Sequence, residues 1–430
     1  MNTSMKTFER HESEVRSYVR AFPAVFERSL GSRMYSESGK EYLDFFSGAG
    51  ALNYGHNHPR IKGALLEYLA TDGITHSLDM ATHAKRRFIE RFVEVVLQPR
   101  GLDHKLLFPG PTGTNAVEAA LKVARKATGR STVFAFQGGF HGMTLGALAV
   151  TSNTMKRNGA GQSLSNTELL PFDGDAGSSQ ESLIQFEAEL DRAAERGVLP
   201  AAVIVETVQC EGGVRVASPA WLRGVESACR KHQVLLIVDD IQAGCGRTGR
   251  FFSFEEAGIT PDLICLSKSL SGMGIPLSLV LVRPELDVFR PGEHNGTFRG
   301  HNLAFITAHE ALTFWSDSKF QRKVEAKALM LADRLETLAE RHSEAGIEVR
   351  GRGLVQGLWF SDTAIASKVS AECFERGVVI ETAGHEDEVL KFLPALTMDP
   401  ANLVKGLDVV EASLEAVLRR TLQTTLAGAE

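Results

Sequence analysis

Val234-Leu235-Leu236-Ile237-Val238-Asp239-Asp240-Ile241-Gln242 is a strand-length apolar run that ends abruptly in two carboxylates. Such a run, bounded by polar residues and rich in branched side chains, predicts a strand buried on both faces. The pattern recurs on either side: residues 106–108, 132–136, 202–205, 263–266 and 277–282 are short apolar runs, most separated by spans long enough for a crossover helix. That alternation predicts an α/β fold built on a largely parallel, doubly wound sheet between about Leu106 and Pro284.

Working outward, residues 61–70 and 85–97 carry apolar side chains at three-and-four spacing, which predicts helices with one buried face. Residues 33–52 read as short strands and turns, with Ser38-Gly39-Lys40 at a hairpin tip. Beyond Ser316 a long charged helical stretch leads to strands at 347–349, 354–360, 378–381 and 389–393, then to a closing helix near 403–422. These predict a smaller α+β domain spanning 321–430, to which residues 1–55 contribute, beside a large domain spanning 56–320.

The chain has 430 residues, 43% hydrophobic and 23% charged, enough for a sizeable core and without the bias of a disordered chain. Its 47 basic and 53 acidic residues leave a net charge of −6 with no long Lys/Arg run, which points to small-molecule partners rather than nucleic acid or an anionic membrane. The 5 cysteines form no C-x-x-C pair, so neither a disulfide framework nor a zinc site is expected, and a reducing cytoplasm fits. Residues 1–20 lack the apolar centre of a secretory signal, and no apolar run reaches membrane-spanning length.

In an open α/β sheet ligands bind where the strands end, so the polar residues just after apolar runs carry the chemistry. Four such places stand out. Pro109-Gly110-Pro111-Thr112-Gly113-Thr114-Asn115 leads into an amphipathic helix whose free N–H groups favour a phosphate; taken alone it is equally an ordinary N-cap. Gly138-Gly139-Phe140-His141-Gly142 offers a tight turn and an aromatic face, or simply a core aromatic. Asp239 and Asp240 offer a carboxylate to a heteroaromatic nitrogen, or to a helix cap or metal. Lys268, between Ser267 and Ser269 and ahead of Gly272-Met273-Gly274, is a candidate amine nucleophile.

A phosphate cradle, a stacking face, a carboxylate and a lysine, all at strand ends, are together what pyridoxal phosphate requires. With Gly55-His56-Asn57-His58-Pro59, Glu118, Glu206, Gln209, Glu211-Gly212-Gly213, Gly244-Cys245-Gly246-Arg247-Thr248-Gly249 and Thr297, the chain resembles the class III, or ω-amino, branch of the fold-type I pyridoxal-phosphate aminotransferases from about Phe22 to beyond Val409. The resemblance implies that Lys268 holds pyridoxal 5′-phosphate as a Schiff base, Asp239 pairs with its ring nitrogen, Gln242 contacts the ring oxygen and Phe140 stacks on the ring. It further implies that Gly113 and Thr114 hold the phosphate, that His141 and Glu206 belong to the same cofactor-binding set, and that Thr297 reaches the phosphate of a neighbouring subunit, which requires a homodimer or a dimer of dimers.

Narrower stretches, Gly110 to Glu118, Asp239 to Gln242, Glu293 to Gly300 and Glu386 to Lys391, resemble the diaminobutyrate–2-oxoglutarate subgroup of ectoine biosynthesis. Asp240 and Lys391 stand where the wider family usually has Glu and Arg. The subgroup implies ping-pong transfer of an amino group from L-glutamate to L-aspartate β-semialdehyde, giving L-2,4-diaminobutyrate and 2-oxoglutarate. It also implies that Glu211 pairs with the basic residue, here Lys391, to distinguish the two substrates. Transaminases for ornithine, acetylornithine or 4-aminobutyrate are the nearest rivals. The opposing reading takes Gly244 to Gly249 as the G-x-G-x-x-G of a nicotinamide oxidoreductase, but Arg250-Phe251-Phe252-Ser253-Phe254 lacks the helical spacing that should follow it. The paired histidines His56 and His58 are expected to hold a turn rather than a metal.

Overall fold

A computed structural model describes residues 5–427. β1 (Phe26–Leu30), β2 (Arg33–Ser36) and β3 (Glu41–Asp44) fold back on one another in antiparallel register, with Gly39 in the left-handed region at the hairpin tip. β4 (Lys105–Leu107), β5 (Val133–Phe136), β6 (Thr167–Leu170) and β7 (Ala202–Val205) follow. A short antiparallel ribbon, β8 (Val208–Gln209) with β9 (Arg215–Val216), separates them from β10 (Leu235–Asp239), β11 (Leu263–Leu266) and β12 (Leu279–Val282). Apart from the ribbon, β4 to β12 join one seven-stranded sheet in the order β4-β12-β11-β10-β7-β5-β6.

The β11–β10–β7–β5–β6 run is parallel throughout, as the crossover spacing predicts. β12 is the exception, antiparallel to both β11 and β4. Its link from β11 holds only the single helical turn Lys268–Ser271 before Gly272 and Gly274, both at φ +74, and carries no crossover helix. The sequence reading missed β6, an edge strand of partly exposed residues with no continuous apolar run.

Alternation along the central strands sorts their side chains into two cores. Val203, Val205, Leu236, Val238, Ile264 and Leu266 face one cluster, while Ala202, Ile204, Ile237, Leu263 and Cys265 face the other. Both faces are therefore covered, which is why these strands read as unbroken apolar runs. The helix Gly113–Thr128 covers one face, and Ser179–Glu195 and Pro219–Lys231 cover the other; Ser178 and Ser218 accept the Glu181 and Trp221 backbone N–H groups at the starts of the latter two.

Further on, β13 (Ile347–Arg352), β14 (Val355–Phe360), β15 (Val378–Val379), β16 (Glu381–Ala383) and β17 (Val389–Phe392) follow the helix Ser318–Arg341. The expected strand at 378–381 divides. β15 pairs in parallel with β3 of the N-terminal segment, whereas β16 joins an antiparallel sheet of order β13-β14-β17-β16. Leu331, Leu335, Leu358, Phe392, Leu407 and Leu414 bring the two long helices and these strands into one core. Among the described residues, no helix is long and apolar enough to cross a membrane.

Candidate active site

Five strand ends converge on one cavity of about 340 Å³, within the size range of small-ligand sites. Thr112, Gly113 and Thr114 follow β4; Phe140, His141, Gly142 and Met143 follow β5; Glu206 follows β7; Asp239, Ile241 and Gln242 lie at the end of β10; Lys268 follows β11. Parallel register sets their heights. Val205 lies opposite Val238 and Asp239 opposite Cys265, so Glu206, Asp239 and Lys268 emerge from three adjacent strands.

Thr112 caps the Gly113–Thr128 helix by giving its backbone N–H and hydroxyl to Asn115 Oδ1, at 3.1 and 2.8 Å. The Asn115 N–H already donates to the Thr112 carbonyl at 3.0 Å, whereas the Gly113 and Thr114 N–H groups have no partner within the helix and lie at its positive end, which suits an anion. The Thr114 hydroxyl lies 2.6 Å from that of Thr144, which donates to Glu118 Oε1 at 2.6 Å. A Cβ at Gly142 would come within 2.4 Å of Thr114 Oγ1, so this approach requires glycine, which also relieves the positive φ of +133 there.

Asp239, which the family resemblance selects, and Asp240, which the apolar run alone offers equally, separate cleanly. Asp239 lines the cavity, held by His141 Nδ1 at 2.8 Å and by the Ile241 backbone N–H at 3.2 Å. Asp240 points the other way, where Ser253 donates to it through both its hydroxyl and its backbone N–H, and burial pushes its carboxyl up to about 7. Glu206 accepts the Phe140 backbone N–H at 2.9 Å, fixing the ring at the cavity wall. Burial and then the Asp239 carboxylate beside it hold Glu206 well above the usual carboxylate range.

Lys268 occupies the left-handed region at φ +48, a strained conformation for a non-glycine residue and one that recurs at functional sites. Its ammonium nitrogen donates to the Ala49 carbonyl at 2.9 Å, and burial holds its pKa below the ordinary lysine value against the opposing pull of Glu211. The Ala49 carbonyl also accepts from Gln242 Nε2 at 2.8 Å, an acceptor that sequence reasoning missed. Ser47 and Ala49 themselves lie at positive φ, so a distorted turn from the N-terminal segment presents this oxygen.

Beside the cavity, Glu211 Oε1 accepts from Gln242 Nε2 at 3.1 Å and from Lys391 Nζ at 2.7 Å. The expected Glu211–Lys391 pair is therefore formed. Lys391 is fully buried, and a second carboxylate that the sequence reading did not single out, Glu381, also lies 3.1 Å from its nitrogen. Glu381 sits directly across the β16–β17 ladder from Lys391, and Tyr18 donates to its other oxygen at 3.3 Å. Burial would drive the Lys391 pKa down, but the two acids outweigh it and hold it above the ordinary value. Burial likewise raises Glu211, yet Lys391, Lys268 and the two hydrogen bonds bring it down to about 2.

Thr297 is not part of this cluster. It lies on an exposed loop, where its carbonyl lies 2.9 Å from His76 Nε2, and it does not line the cavity of its own chain. The Gly244 to Gly249 loop opens no helix. Its Arg247 is fully buried and donates to the Leu354 carbonyl at 2.9 Å, to the Pro394 carbonyl and to Asn53, while Phe251, Phe252 and Phe254 enter the core. That arrangement leaves no N-terminal dipole for a dinucleotide pyrophosphate. His56 bonds Asp44 Oδ2 at 2.7 Å and Asn57 donates to the Ser29 carbonyl, giving the expected turn; among the described residues no group of three metal-ligating side chains forms.

Residues 15–414 match the class-III aminotransferase family. Diaminobutyrate–2-oxoglutarate transaminases from Bordetella parapertussis and Halalkalibacterium halodurans are 55% and 52% identical, covering 96% and 97% of this chain and the same shares of their own. The crystal structure of ornithine aminotransferase from Toxoplasma gondii superposes with a TM-score of 0.84 at 28% identity, over 97% of this chain and 95% of that one.

Proposed function

Since the chain belongs to the class-III aminotransferases, we propose that it transfers an amino group from L-glutamate to the terminal carbonyl of L-aspartate β-semialdehyde, giving L-2,4-diaminobutyrate and 2-oxoglutarate. The observation that carries this reading is the meeting of Lys268, Asp239, Phe140 and the Gly113–Thr128 helix start around one cavity. Those groups fit pyridoxal 5′-phosphate: an anion site at a helix end, an aromatic wall, a carboxylate and an enclosed amine. Bound there, the cofactor supplies an aldehyde that takes up and returns the migrating amine, and a ring that draws electrons from the carbon losing its proton.

The chain's own residues do the rest. Gly113 and Thr114 would hold the phosphate through their backbone N–H groups, Phe140 would offer its face to the ring, and Gln242 would meet the ring oxygen. Asp239, oriented by His141, would keep the ring nitrogen protonated, and Glu206 positions Phe140 through its backbone N–H. Lys268, whose Nζ reaches into the cavity, would be the amine that anchors the cofactor, and the same nitrogen would carry the substrate proton from the carbon that loses it to the carbon that gains it. Burial favours its neutral amine, and such positioned proton transfer contributes about 10²–10⁴-fold to rate.

Two substrates share the pocket, glutamate reacting at its α-amine and diaminobutyrate at its terminal amine. When glutamate reacts, its α-carboxylate takes Lys391 and Glu211 swings aside; when diaminobutyrate reacts, Glu211 stays on Lys391. Lysine offers a point charge rather than a bidentate fork, so this grip is weaker than an arginine's. Thr297, which does not line the cavity of its own chain, would complete the phosphate site of a second subunit, which makes the working unit a homodimer or a dimer of dimers. A large domain over 56–320 would hold the seven-stranded sheet with its two covered faces, and a small domain over 321–430, with residues 1–55 contributing, would hold the core of Leu331, Leu358, Phe392 and Leu407. The cytoplasm is the assigned compartment.

Purified protein assayed with diaminobutyrate, ornithine, 4-aminobutyrate and acetylornithine against 2-oxoglutarate tests the reading. Ping-pong kinetics with diaminobutyrate the preferred donor is the expected result. Preference for ornithine or 4-aminobutyrate would overturn the substrate and keep the cofactor, whereas a protein without a visible cofactor band would overturn both.

A further inference from the structure

Lys391 is one buried cation between two carboxylates, and only one of them is free to move. Glu211 follows the β8 strand, and its side chain lines a neighbouring pocket of about 320 Å³ that shares Phe140 with the cofactor cavity; Gln242 of that cavity also donates to it. Glu381 is locked by the β16–β17 ladder, 5% exposed, with Tyr18 on its outer oxygen. With both acids ionised the triad carries a net charge of −1 inside the protein, where a second uncompensated charge is costly. A substrate carboxylate that displaces Glu211 from Lys391 therefore arrives beside Glu381.

We propose that Glu381 is a specificity-determining residue, a fixed counter-ion on Lys391 that must take up a proton before the lysine can accept a substrate carboxylate, whereas a substrate reacting at a terminal amine leaves the triad closed. This deepens the function proposed above and rests on it. The charged and titratable groups facing Glu381 are Lys391 from β17, Glu211 after β8, Lys268 after β11 and Tyr18 from the N-terminal segment. Burial pushes the Glu381 carboxyl up to about 7, with Lys391 opposing and Glu211 adding to the rise. Lys391 and Glu211 keep their charges through the neutral range, so Glu381 is the member of the triad that can change protonation there.

The sign follows from linkage. Below about pH 7 Glu381 is already protonated and a dicarboxylate binds without proton uptake; above it, binding takes up roughly one proton, and affinity falls about tenfold per pH unit. Calorimetric titration of the holoenzyme with glutarate, an unreactive dicarboxylate, in buffers of different ionisation enthalpy measures this uptake. The cofactor's visible band, read in the same titrations, separates a proton taken at Lys268 from one taken at Glu381. Glu381→Gln, which retains a partner for Tyr18, should abolish the band-silent proton uptake, flatten the pH slope and lower the glutamate KM at alkaline pH more than the diaminobutyrate KM. Tyr18→Phe, which removes a donor to the charged form, should move the break in the slope to higher pH; it keeps the idea testable should Glu381→Gln not fold. A folded Glu381→Gln enzyme that transaminates diaminobutyrate yet keeps the wild-type proton uptake would overturn the inference alone. Failure of the wild type to use diaminobutyrate would instead overturn the function on which it rests.

Discussion

The cofactor cavity and the Lys391 triad lie side by side but are built in opposite ways. The cavity draws its side chains from successive strand ends of one sheet, whose parallel register fixes Glu206, Asp239 and Lys268 at related heights. Its chemistry is set by single residues held from behind, such as Asp239 by His141 and Phe140 by Glu206. The triad is assembled from separate sheets, Glu211 beyond β8 and Glu381 opposite Lys391 on β16 and β17, and its chemistry belongs to no member alone. The lesson is one of division of labour: the rigid sheet end suits a cofactor that stays, while a balance of charges across two sheets suits substrates that alternate.

That contrast predicts different signatures for damage in the two places. Lys268→Ala should cost most, about 10⁴-fold in kcat for both half-reactions alike, because the proton carrier is lost; stopped-flow spectra with glutamate and with diaminobutyrate would measure it. Asp239→Asn should follow, at about 10²–10³-fold for either substrate, as expected on losing a preorganised charge at the reacting group. In the triad the losses should instead be unequal. Lys391→Ala should lower kcat/KM for glutamate about tenfold more than for diaminobutyrate, about 1.4 kcal/mol of selective binding. It should also destabilise the fold by about 3–5 kcal/mol in denaturant titration, because Glu211 and Glu381 are left without their cation. Lys391→Arg should restore stability, and equal kinetic losses for the two substrates on Lys391→Ala would break the contrast. Thr297→Ala should have the smallest effect, weakening cofactor retention by about 0.5–1.5 kcal/mol, one hydrogen bond's worth. Mixed dimers with Lys268→Ala would show whether the loss appears at the partner's site.

The cavity was legible in the sequence because buried parallel strands are unbroken apolar runs, and the polar residue that ends each run marks the ligand-binding edge. Asp239, Lys268, Phe140 and the Thr112–Thr114 turn were all found that way. The choice between Asp239 and Asp240 came from the family resemblance and not from the run itself, since neighbouring residues on a strand point to opposite sides and only the paired strands decide which side holds the cavity. Glu381 was quoted within a strand but not singled out, because a carboxylate 10 positions from a lysine signals nothing until β16 and β17 pair and bring them face to face. The Ala49 carbonyl was illegible for another reason: a backbone oxygen has no residue type to betray it, and its aim depends on positive φ at Ser47 and Ala49. β12 kept its apolar signature but not its direction, which the short glycine-containing turn after Lys268 sets.

Everything proposed for the cavity turns on which nitrogen carries the cofactor. The most direct measurement is borohydride reduction of the purified holoenzyme followed by proteolysis and mass mapping of the pyridoxyl adduct. A single adduct on the peptide containing Lys268, with loss of the visible band, is the expected result. An adduct on another lysine, or a B6-supplied protein that carries no adduct, would contradict it.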